Sequence, residues 1–189
     1  QIKKDYPIIN TDEVIGGILM PGDGAADPSG VTQMLAKAAR KEGAKIFEKS
    51  PVEEIITKDG KISGVKVNGQ EIKCEYIVLA SGMWSRQIGE KTGVSIPLYP
   101  AEHFYIITEP IENLSKTLPV IRDFDNRTYI KEDAGKILVG IFEGNSIPAW
   151  DKTNKVPEDF SFGEFQENFE HFEPYLASAI KRFPVLESA

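Results

Sequence analysis

The chain has 189 residues, 41% apolar and 27% charged, with 22 Lys and Arg against 29 Asp and Glu for a formal net charge of -7. This length suits one domain with a real core, or a domain plus a small subdomain, and the composition is that of an ordinary soluble globular protein. The carboxylate excess, with Lys and Arg interleaved throughout, argues against a nucleic acid or an anionic membrane as partner. The one cysteine, Cys74, can form neither an internal disulfide nor a zinc site alone. It reads as a small core residue in a strand. There is no run of ~18 apolar residues and no signal-peptide pattern.

In chain order, the apolar run 14–20 reads as a strand and leads into a Gly/Asp loop at 21–26. A helix follows, with Asp27 as N-cap and Pro28 in the first helical position. Val31, Leu35, Ala38 and Ala39 share one face of it, and Gly43 ends it. Residues 44–48 read as a strand. Residues 52–57, 61–67 and 70–74 form a meander, joined by Asp59-Gly60 and Asn68-Gly69, both hairpin-turn pairs. The continuous apolar run 76–80 has the character of a strand buried in a parallel sheet, and a helix follows over about 84–92. Beyond Pro97, strand-like segments at 104–108, 120–121, 128–130 and 136–142 alternate with Asp/Asn/Gly turns, which is an antiparallel block. Residues 145–157 form a polar loop. Phe162, Phe165, Phe169, Phe172, Leu176 and Ile180 then recur at helical spacing, and Pro174 should break that helix in two. The division expected is a βα-rich zone over 1–96 and an antiparallel zone with terminal helices over 97–189. The opening strand 14–20 is compatible with joining the second sheet.

Gly22-Asp23-Gly24 sits between a strand and a helix, where a dinucleotide fingerprint would sit. That fingerprint needs a third glycine, and here the position is Asp27. With Asp23 inside the loop as well, two carboxylates would repel a phosphate, so the loop reads as a turn into a capped helix. Residues 76–85 form a strand ending in small residues before a helix. That is either a tight turn or a place where a ligand approaches the backbone. His103 and Tyr105 share one face of their strand. The chain has two histidines, His103 and His171, far apart in sequence and without clustered cysteines, so no metal site is expected. No Gly-x-Ser-x-Gly nucleophile motif occurs.

Taken in order and spacing, several pieces are specific together: Pro21-Gly22-Asp23-Gly24 with Asp27-Pro28, Ala38-Ala39-Arg40, Gly43-Ala44, Pro51-Val52 and the run from Ala80 to Ser85. The later pieces are Pro97-Leu98, His103-Phe104-Tyr105, Thr108, Leu118 to Asp123, Tyr129-Ile130 and Phe183 to Leu186. On these the chain resembles the D-amino-acid-oxidase-type flavoproteins, in the branch of dimethylglycine and sarcosine dehydrogenases and oxidases. The resemblance covers essentially the whole chain.

The resemblance implies a mixed α+β and α/β fold: part of a Rossmann-like FAD domain plus an antiparallel substrate-domain sheet with C-terminal helices. It implies that Val52, Ala80, Ser81, Gly82 and Trp84 border FAD, and that His103 and Tyr129 face the substrate amine, with Tyr105 the next candidate. It implies oxidation of a small N-methylated amine by hydride transfer to the flavin. Tetrahydrofolate would enter through further domains, and the location would be the cytoplasm, or the mitochondrial matrix in a eukaryote. The expectation is a central fragment, inactive and without tight FAD binding by itself, and prone to self-association. A non-catalytic regulatory or assembly homologue on the same fold is the competing reading.

Overall fold

Asp59-Gly60 and Asn68-Gly69 decide the local course of the chain's middle. All four residues have positive φ, between 50° and 75°, as a two-residue hairpin turn of the primed type requires. The strands they join are β1 (Val52–Lys58), β2 (Lys61–Val67) and β3 (Gln70–Lys73), an antiparallel sheet in the order β1-β2-β3. Cys74 lies just past β3, half-buried, and its N–H still bonds the Ser63 carbonyl at 3.3 Å.

The computed structural model describes all residues from Gln1 to Ala189, and they form two compact units. The first comprises Gln1–Ala25, Glu102–Ile147 and Gly163–Ala189; the second comprises Ala26–Ala101 and Pro148–Phe162. Both are discontinuous, so the chain passes repeatedly from one to the other, whereas the sequence suggested a single cut after residue 96. No helix is long and apolar enough to cross a membrane.

The second unit holds the three-stranded sheet and, before it, α2 (Pro28–Lys41). The Asp27 carboxylate caps this helix by accepting from the N–H groups of Ser29 (3.1 Å) and Gly30 (3.0 Å). A 3₁₀ turn at Gly82–Trp84 leads into the short α3 (Ser85–Glu90).

The first unit opens with α1 (Ile2–Asp5) and is built on a four-stranded antiparallel sheet. Its strands are β4 (Tyr105–Ile107), β5 (Ile121–Asp123), β6 (Thr128–Asp133) and β7 (Lys136–Ile141), in the order β4-β7-β6-β5. Strand alternation sends Ile106, Ile130, Ile137 and Val139 to one face. There they pack with Tyr6, Ile9, Ala179, Phe183 and Leu186 as the core. Helix α4 (Phe169–Arg182) contributes Phe172 and Ala179 as its buried residues. Arg182 at its end donates to Asp123 of β5 at 3.0 Å.

Four expectations are corrected. Residues 14–20, 44–48 and 76–80 are not strands. A strand exists only with a ladder partner, and no pairing reaches these runs. Ile15, Ile18, Tyr76 and Val78 are instead exposed. Residues 14–20 nonetheless belong to the unit that carries the four-stranded sheet, without joining its ladder. The fourth correction concerns Pro174, which does not divide the terminal helix. Helix α4 runs unbroken through it, although Phe162 and Phe165 of the apolar stripe lie before its start. A proline here deletes one ladder bond. The Asn168 cap on the His171 N–H (3.0 Å) and the buried side chains on either side of Pro174 outweigh that loss.

Candidate active site

The face of the four-stranded sheet opposite the core is shaped by one row of residues. Tyr105 on β4 pairs with Gly140 on β7, Gly140 with Tyr129 on β6, and Tyr129 with Arg122 on β5. Residues in register across an antiparallel sheet share a face, so two phenols and a guanidinium line up, with a gap at Gly140. That gap is used. A Cβ at position 140 would coincide with the Tyr129 ring, so the ring lies directly over the glycine backbone.

His103 enters this face from just before β4. Its Nε2 is 3.3 Å from the Tyr129 hydroxyl, and the two rings are nearly parallel, at 12°. Its Nδ1 is 3.1 Å from Oε2 of Glu143. Glu143 is itself held from below, because its Oε1 accepts the Phe104 N–H at 2.9 Å. The Glu143 side chain is 4% exposed and that of His103 46% exposed. The imidazole is thus anchored on the inside and open on the outside. The Phe142 ring lies 5.3 Å from Tyr129, and the Arg122 guanidinium sits 5.1 Å over that ring, a cation–π arrangement. Arg122 makes no ion pair, whereas Lys131 has Asp133 at 3.9 Å.

Burial raises the pKa of Tyr129, as do the nearby Glu143 and Tyr105, against an opposing pull from Arg122. The phenol therefore holds its proton firmly at neutral pH and acts as a donor. The arrangement combines a hydrogen-bonded imidazole–phenol pair with an unpaired cation in the same row. It suits a small molecule carrying both an N–H and a carboxylate.

Of the residues singled out in the sequence, His103 and Tyr129 meet directly. Tyr105 shares their face across Gly140. Arg122, although exposed, stands beside Tyr129. Glu143, Gly140 and Phe142 were missed. Only Gly140 left a mark, as an isolated glycine inside a strand, which signals close approach of another group.

The residues assigned to a cofactor lie in the other unit. Val52 begins β1 and is half-exposed, Ala80 and Gly82 are exposed, and Ser81 is partly buried. Gly82 has φ +52°, and a Cβ there would meet nothing within 4 Å. The Trp84 indole N–H donates to the Pro157 carbonyl at 3.0 Å. The backbone at Gly82 is thus open to its surroundings. At the Gly22-Asp23-Gly24 loop Asp23 N–H bonds the Met20 carbonyl at 3.1 Å and Gly24 N–H bonds the Asp23 carboxylate at 2.8 Å, while Ser29 and Gly30 in the first turn of α2 bond Asp27.

The family described as DAO, FAD dependent oxidoreductase, matches residues 1–189. The chain is 35% identical to the 4-methylaminobutanoate oxidase (formaldehyde-forming) of Paenarthrobacter nicotinovorans, over 99% of this chain and 22% of that protein. It is 33% identical to the mitochondrial pyruvate dehydrogenase phosphatase regulatory subunit of Mus musculus (97% and 21%) and 34% identical to mitochondrial sarcosine dehydrogenase of Homo sapiens (99% and 20%). The chain thus spans about a fifth of the length of these relatives. Among solved structures it matches L-proline dehydrogenase from P.horikoshii with a TM-score of 0.80 at 28% identity, covering 98% of this chain and 47% of that one. Motifs, fold and relatives converge: the chain belongs to the DAO family of FAD-dependent oxidoreductases.

Proposed function

We propose that this sequence supplies the substrate-facing sheet of an enzyme that oxidises a small N-methylated amino acid, of the sarcosine, dimethylglycine or 4-methylaminobutanoate kind. The observation that carries the reading is the His103–Tyr129 contact at 3.3 Å, with Arg122 next to Tyr129 in the same row. Bound FAD would supply the acceptor for the hydride leaving the N-methyl carbon. Residues 80–84 and Val52 would border it. An amine gives up hydride only when neutral. His103, hydrogen-bonded to the Tyr129 hydroxyl through Nε2 and backed by Glu143 at Nδ1, takes the ammonium proton. Tyr129 holds the nitrogen and Arg122 pairs with the carboxylate. Tyr105 closes the other side of the row. The one-carbon product would pass to water or to tetrahydrofolate held by another domain.

The relatives include one described as a regulatory subunit, which supports a second reading, a non-catalytic homologue. Flavin reduction by sarcosine, dimethylglycine and 4-methylaminobutanoate in the full-length protein decides between them. We expect reduction by at least one of these. Tyr129→Phe should lower kcat/KM by about 10²-fold or more. Arg122→Leu should raise KM for carboxylate-bearing amines while leaving simple methylamines unaffected. No reduction by any amine would favour the regulatory reading.

A further inference from the structure

We infer that Glu143 is a positioning residue: it fixes the proton of His103 on Nδ1 and thereby points the Tyr129 O–H into Nε2, leaving the phenol oxygen as an acceptor for the substrate N–H. The inference rests on the reading of His103 and Tyr129 given above.

A carboxylate only accepts. With Oε2 of Glu143 3.1 Å from Nδ1 of His103, the hydrogen of the neutral imidazole belongs on Nδ1. Glu143 cannot turn away without stranding the Phe104 N–H, which its other oxygen accepts at 2.9 Å. The backbone around it is tied on both sides. Phe142 N–H donates to the Arg127 carbonyl at 2.7 Å, and Gly144 N–H donates to the Tyr175 hydroxyl of α4 at 3.2 Å. At 4% exposure, the Glu143 side chain meets little competition from water.

Nε2 then carries a lone pair, and the Tyr129 hydroxyl 3.3 Å away donates into it. The chain of bonds runs one way, from phenol to imidazole to carboxylate. The phenol oxygen, donating its one hydrogen to Nε2, keeps lone pairs for a further donor. An ammonium there gives its proton to the phenol oxygen as the phenol's own proton moves to Nε2. The amine becomes neutral, the imidazolium forms against the Glu143 carboxylate, and no electrons are transferred in this step. With the opposite tautomer, Nε2–H would donate to the phenol. The phenol hydrogen would then point at the ammonium, two donors facing each other.

The test compares the full-length protein with its Glu143→Gln and Glu143→Asp variants by neutron diffraction on deuterated crystals. In the wild type and in Glu143→Asp, deuterium should sit on Nδ1 of His103, with the Tyr129 deuterium directed at Nε2. In Glu143→Gln the Phe104 N–H retains the amide oxygen and places the amide NH2 against Nδ1, so deuterium should move to Nε2. Deuterium on Nε2 in the wild type, or on Nδ1 in Glu143→Gln, overturns the inference. Kinetically, Glu143→Gln should lower kcat for flavin reduction by about 10- to 100-fold, the usual effect of removing an orienting partner. KM should stay nearly unchanged, and Glu143→Asp should recover most of the rate. Equal loss in both variants overturns the positioning role. If the deuterium positions hold but no amine reduces the flavin, the positioning stands and the proposed reaction falls.

Discussion

Tyr6 sits inside the core with a hydroxyl that has no hydrogen-bond partner, its ring packed edge-on against Phe183 at 5.8 Å. Burial, and then the charge of Glu132, push its pKa up to about 12. An unfolded chain would release this proton near pH ~10. Between those values the unfolded state binds fewer protons than the folded one, so stability falls as pH rises, by about 1.4 kcal/mol per unit. Tyr6→Phe keeps the ring and removes the unpaired oxygen. We expect it to be as stable at pH 7 as the parent, or more stable by about 1 kcal/mol, and to lose the decline between pH ~10 and ~12. Urea unfolding at three pH values checks this, and a clear loss of stability at pH 7 would contradict it. Nothing in the sequence around Tyr6 announced its burial, because no repeat of apolar residues surrounds it. His103 and Tyr129 were legible only through their resemblance to a known family. Their supports were not: Glu143 follows the end of a strand and acts through space.

The elements whose chemistry is local were the legible ones. The Asp27 cap, the two primed turns and the alternation in β6 and β7 are each written within a few residues, and each forms. The apolar runs 14–20, 44–48 and 76–80 were misjudged, because pairing depends on a partner elsewhere in the chain. Helix α4 was misjudged in the other direction, since tertiary packing overrode a local breaker. That gives a direct test. Pro174 leaves the Glu170 carbonyl without its ladder donor, and Pro174→Ala would restore it. Thermal unfolding should show a gain of about 1 to 3 kcal/mol. An unchanged or lower stability would mean that the proline ring itself packs to advantage.

On the scale of the whole molecule, apolar side chains remain in the open. Ile15 and Ile18 in one unit, and Tyr76 and Val78 in the other, are all more than four-fifths exposed. Unpaired extended segments with apolar side chains are templates for association. We expect the 189-residue chain, purified alone, to sediment as species larger than its 21.0 kDa monomer, growing with concentration. We expect the same sample to lack the visible absorbance of flavin, because Asp23 and Asp27 place two carboxylates at the one glycine loop that precedes a helix, where they repel a phosphate. A yellow monomer at every concentration would refute both expectations.

Gly140 sets a constraint of a different kind. Tyr129 occupies the volume that any side chain at 140 would fill, so the two positions cannot vary independently. Only glycine is compatible with a phenol lying across β7, and a larger residue at 140 must be matched by a smaller one at 129. The face that carries His103, Tyr129 and Arg122 would then be altered by a change in a strand that supplies none of the three.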